Sequence, residues 1–260
     1  MTAPLRVFIT GASGGIGEAL AHRYALQGAN VGLVARRAER LDAIVVRLTG
    51  GAANHAAYVA DVTDHEAMRV AAQQYIVRFG LPDIVIANAG ISVGTLATAT
   101  DDIQAFEAVL RTNLLGVMVT FLPFVNLMRS RGSGRLVGIS SVAGVRGLPG
   151  AAAYCASKAG ISRYLESMRV ELHGTGVKVV EIRPGYIATP MTAVNPYRMP
   201  FILQADEAAR RFVRAIETGS SRATIPWQMA IVAKVLALMP NWLYDLMFSH
   251  AKRKPRGLPL

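Results

Sequence analysis

The chain holds one cysteine, Cys155, in 260 residues, so it cannot close an internal disulfide, and a reducing, cytoplasmic setting is expected. Charged residues make up only 17% against 52% hydrophobic, the reverse of the balance in a disordered chain. No uninterrupted apolar run reaches about 18 residues, which argues against a transmembrane span. The opening Met1-Thr2-Ala3-Pro4-Leu5-Arg6 lacks the basic, apolar and small-residue order of a secretory signal. Acidic residues are in deficit, 17 against 28 Lys and Arg, giving a net charge of +11. The excess is concentrated from Arg198 onward, where ten Lys/Arg face four Asp/Glu. Nucleic acid, anionic lipid or a polyanionic cofactor could each use that bias. No basic stripe interleaved with aromatics supports nucleic acid, and no ligand spacing points to a metal.

What the chain does contain is alternation. Apolar, β-branched runs at 5–10, 30–35, 56–60, 83–89, 135–140, 177–183 and 223–226 read as strands. They are apolar without interruption, as in strands covered on both faces. Helical spacing fills 15–27, 37–48, 64–79, 101–128, 152–172 and 205–217. The pattern predicts a single Rossmann-like doubly wound α/β domain: three layers around a mostly parallel seven-stranded sheet, with ligands at the strands' carboxyl ends. The domain is expected over 1–227, followed by an apolar, basic-ended helical extension over 228–260. Irregular stretches at 90–100 and 185–204 follow strands, and the second, about 186–204, is long enough to be a substrate lid.

The first strand runs into Thr10-Gly11-Ala12-Ser13-Gly14-Gly15-Ile16-Gly17 and then a helix. Glycines there allow a tight turn and let backbone amides approach a pyrophosphate at a helix N-terminus. The spacing is Gly-x-x-x-Gly-x-Gly over Gly11, Gly15 and Gly17, with Ser13, Gly14 and Ile16 inside the turn. At the end of strand two an acidic residue would bind a ribose diol, whereas a 2′-phosphate calls for arginine. Ala35 stands in that place and Arg36 follows, so NADP(H) is expected with Arg36 as its phosphate ligand. Arg37 is open between a second ligand and a solvated helix start. Farther on, Tyr154 and Lys158 are four residues apart and share a helix face. A nearby ammonium stabilises a phenolate, so the lysine should bring the tyrosine closer to a useful proton-transfer range.

Taken in order, the glycine turn, Asp61-Val62, Asn88-Ala89-Gly90, Asn113, Ser141, Tyr154-x-x-x-Lys158 and Pro184-Gly185 resemble the short-chain dehydrogenase/reductase family over about residues 5 to 227. The resemblance implies an oxidoreductase interconverting a carbonyl and an alcohol. Tyr154 would be the general acid in reduction and the base in oxidation, Ser141 would polarise the substrate oxygen, and Lys158 would lower the tyrosine pKa and hold the nicotinamide ribose. Asn113 would bind a water that relays protons from Lys158. Asp61 and Val62 would meet the adenine, Asn88, Ala89 and Gly90 would line the cofactor site, and Pro184, Gly185, Ile187 and Thr189 would wrap the nicotinamide end. It also implies a homodimer or homotetramer through helices 101–128 and 152–172. Reduction is the preferred reading, beside an alcohol oxidation of a hydroxysteroid or hydroxyacyl substrate and a non-catalytic NADP-sensing protein; intact Asn113, Ser141, Tyr154 and Lys158 speak against the last.

In the extension, Met229, Val232, Val235, Leu236 and Met239 share a helical face and Lys252-Arg253-Lys254 follows. That face could pack on the domain or a partner subunit, or lie on a membrane surface with its basic end at the headgroups. With Met191, Met199, Phe201, Ile202 and Leu203 in the lid, it leans towards a hydrophobic small-molecule substrate.

Overall fold

The computed structural model describes residues 3–257; residues 1–2 and 258–260, the ends of the expected domain and extension, lie outside the described residues. The first half contains β1 (Arg6–Thr10), α1 (Gly15–Leu26), β2 (Asn30–Ala35), α2 (Ala38–Arg47), α3 (Gly51–Asn54), β3 (His55–Val59), α4 (His65–Phe79) and β4 (Ile84–Ala87). Then follow α5 (Ile103–Leu110), α6 (Gly116–Arg131), β5 (Gly134–Ile139), α7 (Ala152–Glu171) and β6 (Val177–Pro184). The chain closes with β7 (Ile187–Ala188), α8 (Pro190–Ala193), β8 (Leu203–Gln204), α9 (Ala205–Glu217), β9 (Arg222–Ile225), α10 (Trp227–Leu238) and α11 (Asn241–Phe248).

Seven strands form one sheet in the order β3-β2-β1-β4-β5-β6-β9, and every neighbouring pair is parallel. The uninterrupted apolar run of β1 has its reason here. Successive side chains point to opposite faces, so Val7 and Ile9 enter one core while Phe8 enters the other, all fully buried. The first core is closed by Leu20, Tyr24, Leu41 and Phe212 from α1, α2 and α9. The second is closed by Met68, Tyr75, Phe124 and Leu165 from α4, α6 and α7, with the Phe8 ring 4.9 Å from that of Phe124. The winding reverses between β1 and β4, which opens a crevice at their carboxyl ends.

Two sequence expectations need correction, one for the helix over 101–128 and one for the extension. The helix expected over 101–128 is not continuous: a single-turn π segment, Arg111–Leu115, separates α5 from α6. The wider turn brings Asn113 inward and fully buried, a placement often found at functional sites. That stretch is also more membrane-like than its run lengths suggest, with a mean hydropathy of 1.7 in its most apolar window. Part of its apolarity is spent on the second core through Phe121, Phe124 and Met128, while Leu115, Leu122 and Leu127 are exposed. Last, the apolar face expected on the extension divides. Met229 and Ala233 are buried against Val142, with Val232 beside them, whereas Val235 points outward with Trp227, Ile231 and Leu238. Over 186–204 the chain is less irregular than expected: β7 pairs with β8, and Thr189 caps α8.

Candidate functional site

The crevice contains a cavity of about 530 Å³ lined by almost every residue singled out from the sequence. Among the cofactor and catalytic residues the exceptions are Gly17 and Asn113; of the apolar residues singled out over 186–204, Met191 and Ile187 line it but Met199, Phe201, Ile202 and Leu203 do not. At one end is the glycine turn. Gly11 has φ of 65°, and a Cβ there would lie 2.6 Å from the Ala89 Cα. A Cβ on Gly17 would lie 2.2 Å from the Gly11 carbonyl oxygen. Both positions therefore exclude side chains so that the turn can fold under α1. Gly14 caps α1 without a side chain, which leaves the helix's first amides open towards the cavity. The turn is held from outside: the Ala12 amide donates to the Val34 carbonyl at 3.1 Å, and the Asn88 amide group donates to the carbonyls of Thr10 and Gly11 at 3.1 Å each.

Next to the turn lies a basic rim. The Arg36 guanidinium is largely exposed and stands 3.7 Å from the Asp61 carboxylate. Arg37, exposed at the start of α2, donates to the Ser13 hydroxyl at 2.9 Å and to the Ser13 carbonyl at 3.2 Å. Arg40, which the sequence reading missed, lines the same end. Its signal was present, as it follows Arg36 by one helical turn at the start of α2. No carboxylate occupies the end of β2, where Ala35 lies against the cavity. The neighbouring Val62 fills the space beside Gly116, where a Cβ would come within 2.7 Å.

At the other end Ser141, Tyr154 and Lys158 converge. Ser141 caps the short turn after β5, accepting the Ala143 amide at 3.1 Å, so its hydroxyl is fixed in position. The Lys158 ammonium is buried, donates to the Ile139 carbonyl at 2.9 Å and stands 5.6 Å from the Tyr154 ring centre. Desolvation pushes its pKa from 10.5 down to about 8. Burial likewise pushes the Tyr154 phenol up to about 12, with the Ser141 hydroxyl acting against the rise. Burial, not the acidification by Lys158 expected from the sequence, sets the direction of the phenol's shift. The phenol is an undissociated acid at neutral pH.

Asn113 links the loop after β4 to α7. Its Oδ1 accepts the Ile91 amide at 2.8 Å, and its Nδ2 donates to the Ile91 carbonyl at 3.0 Å and to the Ser157 hydroxyl at 3.1 Å. All three bonds fix the side chain within the protein. It ties the loop after β4 to α7 and holds Gly90 beside Lys158, whose Nζ would lie 3.7 Å from a Cβ at that position. Pro184, Gly185, Ile187 and Thr189 border the cavity at and just after the end of β6, and a Cβ on Gly15 would lie 3.3 Å from the Thr189 methyl. Gly185 is needed for another reason, since Met229 of α10 would lie 2.6 Å from its Cβ. The site as a whole fits a dinucleotide: a bare turn and helix start for the pyrophosphate, a cationic rim at one end, and a buried ammonium with two hydroxyls at the other.

Comparison with known proteins agrees with this geometry. The family model for the short chain dehydrogenases matches residues 6–198. An oxidoreductase of Myxococcus xanthus is 35% identical over 237 residues, covering 91% of this chain and 93% of its own length. A 3-oxoacyl-(acyl-carrier-protein) reductase of Thermotoga maritima is 34% identical over 188 residues, 72% of this chain and 76% of that protein. Among solved structures, levodione reductase superposes with a TM-score of 0.79 at 28% identity, covering 88% of this chain and 99% of the other. An actinorhodin polyketide ketoreductase crystallised with NADPH superposes with a TM-score of 0.77 at 26% identity, covering 86% and 97%. From the parallel sheet, the glycine turn and these matches together, the chain is an oxidoreductase of the short-chain dehydrogenase/reductase family.

Proposed function

We propose that the protein is an NADP(H)-dependent carbonyl reductase acting on a hydrophobic substrate. The observation that carries this reading is the single cavity with Ser141, Tyr154 and Lys158 at one end and Arg36, Arg37 and Arg40 at the other. The ketoreductase with NADPH and the 3-oxoacyl reductase among its relatives support the same direction and cofactor. Arg36, freed from its loose pairing with Asp61, and Arg37 would hold a 2′-phosphate, and α1's open amides the pyrophosphate. Asp61 and Val62 would border the adenine. When bound, the cofactor supplies the hydride.

The chain supplies orientation and the proton. Ser141 and Tyr154 present two hydroxyls to the substrate oxygen, meeting the negative charge that develops there. Tyr154, kept protonated by burial, donates its proton to that oxygen, and Lys158 stabilises the phenolate left behind. Asn113 acts as a positioning residue by holding Ile91 and Ser157 around the pair. The test is NADPH absorbance against ketones and aldehydes of graded chain length. Oxidation of NADPH that quickens as the substrate lengthens is expected, and no oxidation with any of them would overturn the assignment.

Two partner assignments accompany this reading. Leu115 at the end of the π segment, Leu122 on α6 and Val170 on α7 are exposed, which supports the subunit contact the family resemblance implies. On the outer face of α10 and α11, Trp227, Ile231, Leu238, Trp242 and Leu246 are all more than half exposed. Both tryptophans of the chain are there, with Lys234, Lys252 and Arg253 alongside. An apolar face edged by cations suits an anionic lipid surface.

A further inference from the structure

Residues 249–257 do not leave the domain. They run back across the substrate end of the crevice, and four separate features accommodate them. Lys254 is only 8% exposed, and its Nζ donates to the Ser92 hydroxyl at 3.0 Å and to the Met191 carbonyl at 3.2 Å. Ser92 belongs to the loop after β4, next to the Ile91 that Asn113 holds; Met191 belongs to α8 of the lid. A single ammonium therefore joins the lid to the floor of the site. The Pro255 carbonyl accepts the Gly94 amide at 2.9 Å. Arg256 forks onto the Asp102 carboxylate through three contacts of 2.9–3.0 Å. The same carboxylate accepts the Leu96 amide at 2.7 Å, so Arg256 closes on a residue already fixed at the end of that loop.

Two glycines make the path. A Cβ on Gly94 would lie 2.3 Å from the Lys254 carbonyl oxygen, and one on Gly150 would lie 2.7 Å from the Arg253 Cβ. Gly150 is bonded to the same loop, its carbonyl accepting the Thr95 amide at 3.1 Å, only four residues before Tyr154. Lysine is rarely so buried without a structural reason, and among the described residues its bonded partners are neutral. Bonds to a lid carbonyl and a floor hydroxyl supply that reason.

We propose that residues 253–256 form a strap that holds the substrate lid against the loop after β4, with Lys254 as the positioning residue that sets how far Met191 stands from the site. The strap thereby governs which substrates enter, an inference that rests on reading residues 186–204 as the lid of a carbonyl reductase. Arg256 and Asp102 are its buckle, and Gly94 and Gly150 its seats.

The test uses the full-length protein and two variants, Lys254→Met, which keeps the packing of the stem, and Arg256→Gln, with Arg256→Lys as the conservative control. Amide hydrogen exchange of the lid in the cofactor-free protein is read by mass spectrometry, and kcat and KM are read on short and long ketones. Loss of one charge-assisted bond should speed exchange of the α8 amides about tenfold in each variant. KM for a short ketone should rise several-fold with kcat held within about twofold, because the chemistry at Tyr154 is untouched. Arg256→Lys should restore part of the protection. Unchanged α8 exchange in both variants, with melting temperatures at the wild-type value, would overturn the strap. Should the wild type reduce no carbonyl, the reductase reading falls while the exchange experiment still decides whether the strap holds the lid.

Discussion

Replacing Lys158 by methionine should stabilise the cofactor-free protein while abolishing its chemistry. The lysine is buried, and desolvation alone lowers its pKa from 10.5 to about 8. At about 1.4 kcal/mol per tenfold change, keeping the ammonium charged near neutral pH costs the fold about 3 kcal/mol. Methionine removes that cost but leaves the Ile139 carbonyl without the donor now 2.9 Å away, a loss of about 1 kcal/mol. The net gain of about 2 kcal/mol corresponds to a rise in melting temperature of roughly 4–8 °C for a chain of this size. The sign depends on pH. Because the folded pKa is depressed, the unfolded chain binds the proton more tightly, so wild-type stability rises between about pH 8 and pH 10.5. The variant's advantage should therefore be complete below about pH 8, shrink above it, and become a deficit of about 1 kcal/mol near pH 10.5. Denaturant unfolding of both proteins without cofactor, at several pH values across that range, measures the difference directly. A variant that is destabilised by the same amount at every pH would refute the claim that Lys158 is held charged against its desolvation.

Two further outcomes follow from the cavity's basic rim and from the exposed helix pair. Arg36→Gln should weaken NADPH binding about tenfold or more and leave NADH binding unchanged, by fluorescence titration of both cofactors, since the lost contact is to the 2′-phosphate; equal weakening of both would deny it that role. Wild type should float with vesicles of mixed neutral and anionic phospholipid but not with neutral ones, and Trp227→Ser with Trp242→Ser should stay at the bottom of the gradient. Loss of self-association in the double variant with no flotation of wild type would assign the face to a second copy of the chain instead.

Much of this was legible in one sequence, for physical reasons that differ from residue to residue. The strands of a parallel sheet are covered on both faces, so runs such as Val7-Phe8-Ile9 announce themselves by composition. The glycine turn and the Tyr154–Lys158 spacing are local, and local geometry survives translation into three dimensions. Features that depend on several distant segments were hidden. Nothing around Asn113 marks a π turn, because the turn is stabilised by bonds to Ile91 and Ser157, 22 and 44 residues away. The strap was read as a basic end because Lys254 is buried only by virtue of Ser92 and Met191, 162 and 63 residues distant. The electrostatics of Tyr154 were misjudged for a related reason: a sequence places a cation four residues away but gives no measure of how much water has been removed from both groups. The face of α10 could not be divided either, since apolar residues occupy all its sides and only the position of Val142 and Tyr186 selects the inner one.

The central claim is that the Tyr154 hydroxyl delivers the proton. Turnover of Tyr154→Phe at saturating NADPH and ketone, in protein that still binds NADPH with wild-type affinity, tests it with a single atom removed. Turnover should fall by about 100-fold or more. Activity within a few-fold of wild type would contradict it and would assign the proton to another group in the cavity.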